Sequence, residues 1–335
     1  MRPQVFSFWG RNKLEAFSHI TIGKFQLTLK AEEDLHLPAY KGSTLRGGFG
    51  HALKHVTCAL KRQECPTCLL RTRCVYLYLF ETPPPEDAEM MRLYPEAPHP
   101  FVIEPPETDS RTVSKDESLE FCLLLMGRAL EYLPYFVYAF AHLGDRGIGR
   151  GKGKYTLERI SAMNGCDWAT IYENGDQVLK QPAIFSTADA ICRRCESLAS
   201  SPELSFRFMT PVRIKFEGHL TNQIEFHHIV RSLLRRVSSV SYFHCGRRLD
   251  LDFRGLIDRA QQVKTVSTDL SWHDWERYSS RQKQSMSMGG LVGWVTFAGD
   301  FEEFLPLLAL GEILHVGKAA SFGLGKFILE RGITR

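Results

Sequence analysis

Residues 147–160 read GIGRGKGKYTLERI, and residues 315–331 read HVGKAASFGLGKFILER. Gly151, Gly153, Lys154, Leu157, Glu158 and Arg159 return as Gly323, Gly325, Lys326, Leu329, Glu330 and Arg331, at a constant offset of 172. The same offset carries EYLP at 131–134 onto EFLP at 303–306, which makes nine identities in 29 gapless positions. Unrelated segments of ordinary composition would share roughly two. The chain therefore contains an internal repeat, and the fold must be one that half a chain can build.

Both copies follow one local grammar. GRALEYLPYFVYAFAHLG and DFEEFLPLLALGEILHVG each set a proline near the start of a helical apolar run, where its missing N–H costs little. A glycine loop and a strand follow. In the second copy Phe327 and Leu329 share one face while Lys326, Ile328 and Glu330 take the other, which is the strand period. Upstream, GKFQLTLKA (23–31) alternates Phe25, Leu27 and Leu29 with polar residues. STLRGGFGHALKHV (43–56) then reads as a helix capped by Ser43 or Thr44. The second half offers TPVRIKFEG (210–218) as the matching strand, with Val212, Ile214 and Phe216 on one face. Its matching helix places Phe226, Ile229, Val230, Leu233, Leu234 and Val237 at helical spacing. Further strands are expected at 117–126 and 289–299.

Each half thus reads strand, helix, strands, helix, strand. The expected class is α+β: tandem duplicated ferredoxin-like (RRM-like, βαββαβ) domains. The first domain is expected over 1–160, with a Cys-rich insertion at 58–74. A segment at 83–106 holds eight of the 16 prolines, which predicts an extended surface stretch. A linker region is expected over 161–205 and the second domain over 206–335, with its glycine-rich loop at 316–326.

The totals narrow the setting. Hydrophobic residues make up 44% of the 335, enough for two real cores. No run approaches the roughly 18 apolar residues of a membrane span, and MRPQVFSFWGRNK is a poor secretory signal. Nine clustered cysteines, an odd number, favour reduced thiols or metal over a disulfide framework. A cytoplasmic protein is expected. The net charge of +4 permits an anionic partner without requiring one.

Several of these motifs occur in order in a known family. LRGGFGHAL, the stretch CPTCLLRTRCVYLYLFE, HPFVIEPP, GIGRGKGKYTL, GGLVGWVTF and LHVGKAASFGLGKF together resemble the CRISPR-associated endoribonucleases that process precursor CRISPR RNA, members of the RAMP superfamily. The resemblance implies a prokaryotic protein that binds CRISPR repeat RNA and cuts it within each repeat without a catalytic metal. The cut would proceed by 2′-hydroxyl attack and leave 2′,3′-cyclic phosphate and 5′-hydroxyl ends. It also implies association with other CRISPR effector subunits, as a monomer or homodimer. The alternative is a non-catalytic RAMP subunit that holds guide RNA in an effector complex. A zinc-containing DNA-binding or scaffold protein is a third reading, and it leaves the 172-residue repeat unexplained.

Such a cut needs a proton acceptor, a proton donor and positive charge at the phosphorane. Histidine suits the first two because its pKa lies near neutrality. The family places a histidine on or beside the first helix, and His51 and His55 occupy that region four residues apart. Lys54 lies between them and Tyr40 precedes the helix; with Lys54 or Arg46 stabilising charge, these form the catalytic expectation. The alternative is that His51 packs or caps. For RNA contact the candidates are Arg46, Gly317, Lys318, Ser321, Gly323, Gly325 and Lys326, with Arg231 and Arg235 on one face of the later helix. Glycine amides can form a nest for phosphate oxygens; otherwise the loop is a tight crossover needing positive φ. Arg236, Arg247 and Arg248 extend the basic run, and SWHDWERYSSRQKQ (271–284) is either a base-stacking segment or a surface loop. Cys58, Cys65, Cys68 and Cys74 could close a structural zinc site, four thiolates leaving no open position. The other reading is reduced thiols in a small hairpin. The His227–His228 pair is expected to be structural or surface.

Overall fold

The structure, a computed structural model, describes residues 15–61, 64–85, 88–90, 96–180, 187–279 and 284–332. Two compact units emerge. One comprises Thr21–Phe185 with Phe243–Cys245; the other comprises the rest.

The first unit is built on β1 (Ile22–Ala31), where the expected alternation holds: Phe25, Leu27 and Leu29 are buried. Helix α1 (Gly42–Thr57) follows, then β2 (Phe101–Glu104), β3 (Ser118–Met126), α2 (Leu133–Arg146), β4 (Tyr155–Asn164) and β5 (Asp167–Glu173). The open sheet has the order β2-β3-β1-β4-β5. Leu27 sits opposite Phe121 on one side and Ile160 on the other, so β1 is the central ladder. Helices α1 and α2 cover one face. Phe49 of α1 stacks on Phe136 at 4.6 Å and Phe140 at 5.2 Å, and meets Phe101 edge-on. Glycine inside a helix costs about 0.5–1 kcal/mol, yet Gly50 is needed: a Cβ there would lie 2.2 Å from the Phe80 ring. The helix starts at Gly42 with Lys41 as its N-cap, so Ser43 and Thr44 stand inside the first turn and do not cap.

The second unit contains α3 (Thr187–Leu198), β6 (Glu203–Val212), α4 (Phe226–Cys245, except its last three residues), α5 (Phe253–Ala260), β7 (Lys264–His273), β8 (Gly290–Ala298), α6 (Leu305–Leu314) and β9 (Phe327–Arg331). Its open sheet runs β7-β8-β6-β9. Numbered by appearance within the unit, that order is 2-3-1-4, the order that β1 to β4 also take. Helix α6 and strand β9 begin 172 residues after α2 and β4. All six apolar positions read on α4 are buried, and Phe206, Phe226, Phe297 and Phe327 form the aromatic centre of this core.

Four expectations change. The strand expected at 210–218 lies earlier, at 203–212, because Leu204, Phe206 and Phe208 supply the buried face. The alternation at 215–220 belongs to a two-residue hairpin ladder turning at Glu217 and Gly218, both at positive φ. Within the proline-rich segment, residues 101–104 are a fully buried strand rather than surface. The 161–205 stretch carries elements of both units: β5 extends the first sheet and α3 packs beside α6. Residues 271–273 end β7, and 276–279 pair with 284–287. Among the described residues no helix is long and apolar enough to cross a membrane.

Candidate functional site

The loop between α6 and β9 is shaped by glycine for packing. Gly317, Gly323 and Gly325 hold φ of 87°, 85° and 71°. A Cβ on Gly317 would sit 2.6 Å from the Arg213 carbonyl oxygen, and one on Gly325 would collide with that of Val316. Their amides point inward. Gly317 donates to Ser232 Oγ, Gly323 to the Ala320 carbonyl and Gly325 to the Pro211 carbonyl. Lys326 N–H donates to Thr210 Oγ1, and Ser321 is buried. The glycine amides therefore serve the crossover, and phosphate recognition by a glycine nest is not what this loop is built for.

What the loop does present is charge. Lys318 is exposed, its backbone tied to the Arg213 carbonyl. Partial burial, then Lys215, Arg235 and Arg213, hold its ammonium below the usual lysine pKa. The charges that act on Lys318 are all basic. Like charges gathered together repel, and a bound polyanion relieves that repulsion. Arg213 is fixed by donating to the Gly289 carbonyl at 2.6 Å. Arg231 and Arg235 part company: Arg235 faces the Lys318 cluster, whereas Arg231 lies 5.8 Å over the Phe216 ring. Arg236 is interior, pushed down to about 10 by burial and donating to the Leu314 carbonyl.

Glu225, His227 and His228 mark the start of α4. Their ligand atoms lie within 4.8 Å of one another, and they are the one such metal-competent group among the described residues. Two imidazoles and a carboxylate are a donor set that zinc accepts. They also form the helix cap: Glu225 N–H donates to His228 Nδ1 at 3.2 Å, and Glu225 Oε2 meets His227 Nε2 at 3.0 Å. Burial, foremost, holds His228 below the ordinary imidazole pKa. Arg231 stands in the same neighbourhood, which opposes a cation, so the cap is the use that the geometry already shows.

In the first unit, α1 carries His51, Lys54 and His55 on its exposed side. Lys54 Nζ lies 5.4 Å over the Tyr76 ring. The His55 ring stacks on His142 of α2 at 4.8 Å, with 8° between planes. That stack removes water from one ring face; with His142, Lys61 and Arg146 it holds His55 below the ordinary imidazole pKa. Tyr40 is a poor proton acceptor, because burial and then Glu104 push its phenol well above the usual range.

Arg46 is not at the surface. Its Nη2 donates to His99 Nε2 at 2.8 Å, and its guanidinium lies 4.3 Å from the Phe80 ring. A guanidinium only donates, so His99 carries its proton on Nδ1, which reaches Thr82 Oγ1 at 2.8 Å. The Thr82 hydroxyl in turn donates to the Ala97 carbonyl. Arg46 is a strut of the first core, which removes it from the RNA-contact and charge-stabilising expectations.

The four cysteines also depart from expectation. Cys58, Cys65, Cys68 and Cys74 are free thiols that form no group of three within metal-ligand reach. Cys65 and Cys74 instead pack against the first unit's apolar core, a use common for small buried thiols. Missed in the sequence were His142, Lys215 and Arg213. Lys215 stands in a hairpin and Arg213 just before it, in a stretch read as a regular strand; His142 carried no sequence signal of its own.

Residues 206–327 match a family model described as CRISPR-associated endoribonuclease Cas6. Residues 20–184 match a second, described as an N-terminal domain. A protein of Archaeoglobus fulgidus described as uncharacterized is 25% identical over 296 residues, covering 87% of this chain and 92% of its own. Cas6 of Thermus thermophilus superposes with a TM-score of 0.52 at 15% identity, over 93% of this chain and 99% of its own. A partial Cas6-RT-Cas1–Cas2 complex aligns with a TM-score of 0.58 at 14% identity, over 94% of this chain and 47% of the matched one. The chain thus spans about half the length of that last relative, and these structural likenesses establish the fold.

Proposed function

We propose, from the match of residues 206–327 to the Cas6 family model, that the chain is a Cas6-type protein of the RAMP superfamily and cuts CRISPR repeat RNA in precursor transcripts without a metal ion. The observation that carries the reading is the cluster of four basic side chains, Lys318, Lys215, Arg235 and Arg213, beside the glycine-rich loop and inside the matched segment. Such a cluster fits a sugar–phosphate strand better than any neutral ligand. The equal sheet orders and the 172-residue offset support descent of the two units from one duplicated half.

In this reading the second unit grips RNA and α1 of the first supplies the chemistry. His51 exchanges a proton with a reacting oxygen, and Lys54 carries charge at the phosphorane. The 2′-oxygen bonds to phosphorus as the P–O5′ bond breaks. The proton lost from the 2′-hydroxyl is balanced by one gained at the departing 5′-oxygen. The products are a 2′,3′-cyclic phosphate and a 5′-hydroxyl. The setting is the prokaryotic cytoplasm. Other CRISPR subunits are the partners, by analogy with the partial Cas6-RT-Cas1–Cas2 complex, whose fold this chain shares in part.

One observation favours a second reading. His51 has no hydrogen-bond partner among the described residues to orient its ring, as an RNA-holding subunit without catalysis would allow. Labelled repeat RNA incubated with purified protein in excess EDTA decides between them. A single cut, slowed at least about 100-fold in His51→Ala with binding retained, supports the nuclease. Binding without any cut supports the holding subunit.

A further inference from the structure

We infer that His55 and His142 form a proton-linked seat for an RNA phosphodiester, with Lys61 and Arg146 as its fixed charges. The inference rests on the RNA reading above and deepens it, by adding a second backbone contact and a residue not counted in the chemistry.

The geometry comes first. Two helices that pack against each other bring two imidazoles face to face, 4.8 Å apart and 8° from parallel. His142 Nε2 is buried with no partner, whereas its Nδ1 is not buried in this way. A buried N–H without an acceptor is costlier than a buried lone pair, so the proton belongs on Nδ1. That leaves an outward N–H donor on His142 beside the exposed His55 ring.

The charges that act on His55 are basic, and Asp145 follows His142 by three residues on α2. Lys61 comes from the chain beyond α1, and His142 and Arg146 come from α2; among the described residues no carboxylate acts on His55. The His55 ring is therefore held toward its neutral form in the free protein, and a proton on it would face cations on two sides. An arriving phosphodiester changes the balance. It accepts a hydrogen bond, supplies the missing negative charge and favours one imidazolium. Binding then takes up a proton. His51 stands one turn up the same helix, about 6 Å away along the axis, so the seat lies beside the acid–base residue and not on it. A phosphate one step along the strand would use it.

The test measures affinity for a fluorescein-labelled 2′-O-methyl oligouridylate of about 20 nucleotides, which lacks the attacking hydroxyl. It uses the full chain at constant ionic strength between about pH 6 and pH 8. Uptake of one proton weakens binding by up to tenfold per unit rise in pH. His142→Phe and His55→Phe keep a ring for the stack but cannot titrate, and each is expected to flatten this slope. His142→Phe also removes the unpartnered nitrogen, so its melting temperature should not fall sharply. Lys318→Ala should weaken binding at every pH and keep the slope. A flat wild-type profile, or a His142→Phe variant with the wild-type slope, overturns the seat while leaving RNA binding intact. Should the wild type bind no RNA at any pH, the functional reading fails instead. In that event ¹⁵N-histidine NMR with inorganic phosphate decides the seat: His55 moving toward imidazolium supports it, and an unmoved spectrum overturns it.

Discussion

Removing the cations around Lys318 should weaken RNA binding without weakening the fold. Consider Lys215→Ala, Arg235→Ala and Lys318→Ala together. Lys318 is held below the ordinary lysine pKa by burial and by its three basic neighbours. The folded state therefore disfavours that charge, and below the lowered pKa the interaction is a cost to stability rather than a gain. Neutralising the group should leave the melting temperature unchanged or slightly higher. RNA affinity should respond in the opposite sense. For single strands each neutralised phosphate contributes about 0.7 to the slope of log K against log salt. Three lost contacts lower that slope by about 2. Carried from about 1 M down to 0.15 M salt, this amounts to roughly 50-fold in affinity. Fluorescence anisotropy across a salt series reads both quantities. A triple variant with wild-type slope and affinity would refute the assignment, as would a loss of affinity that tracks a loss of folded protein.

Three further outcomes follow from the packing. Phe49→Ala, which empties the centre of the first unit's aromatic stack, should cost about 3–5 kcal/mol in urea unfolding. Arg46→Met should destabilise the protein and leave the RNA salt slope as it was, because its guanidinium is spent on His99 and Phe80; a reduced slope would return it to the RNA surface. Chelator treatment should leave the melting temperature unchanged, and Cys65→Ser should alter packing alone; a stoichiometric metal lost in that variant would restore the zinc site.

Much of the architecture could be read from periodicity because buried strands and helices must alternate their faces. β1, β3, β8 and β9 and helices α1, α2, α4 and α6 are each half-buried or more, and each announced itself. β7 did not. It is an edge strand exposed along most of both faces, so nothing in KTVSTDLSWH has to be apolar. The strand offset at β6 had another cause: a two-residue hairpin ladder mimics strand alternation for a few positions. The candidate site was legible as a location and not as a geometry. The glycines marked the crossover, but sequence carries no record of amide direction. Arg46 had a usable signal: it shares the 46, 49, 53 face of α1 with Phe49 and Leu53, which are fully buried. His142 had none, since its partner is a residue 87 positions earlier on another helix.

The central claim, cleavage by the RNA's own 2′-hydroxyl, is tested most directly by one deoxyribose placed at the scissile nucleotide of the repeat RNA. With EDTA present, the natural substrate should give a 2′,3′-cyclic phosphate and a 5′-hydroxyl, while the substituted one binds equally well and stays whole. Cutting of the deoxy substrate, or product carrying a free 3′-hydroxyl, would contradict the account.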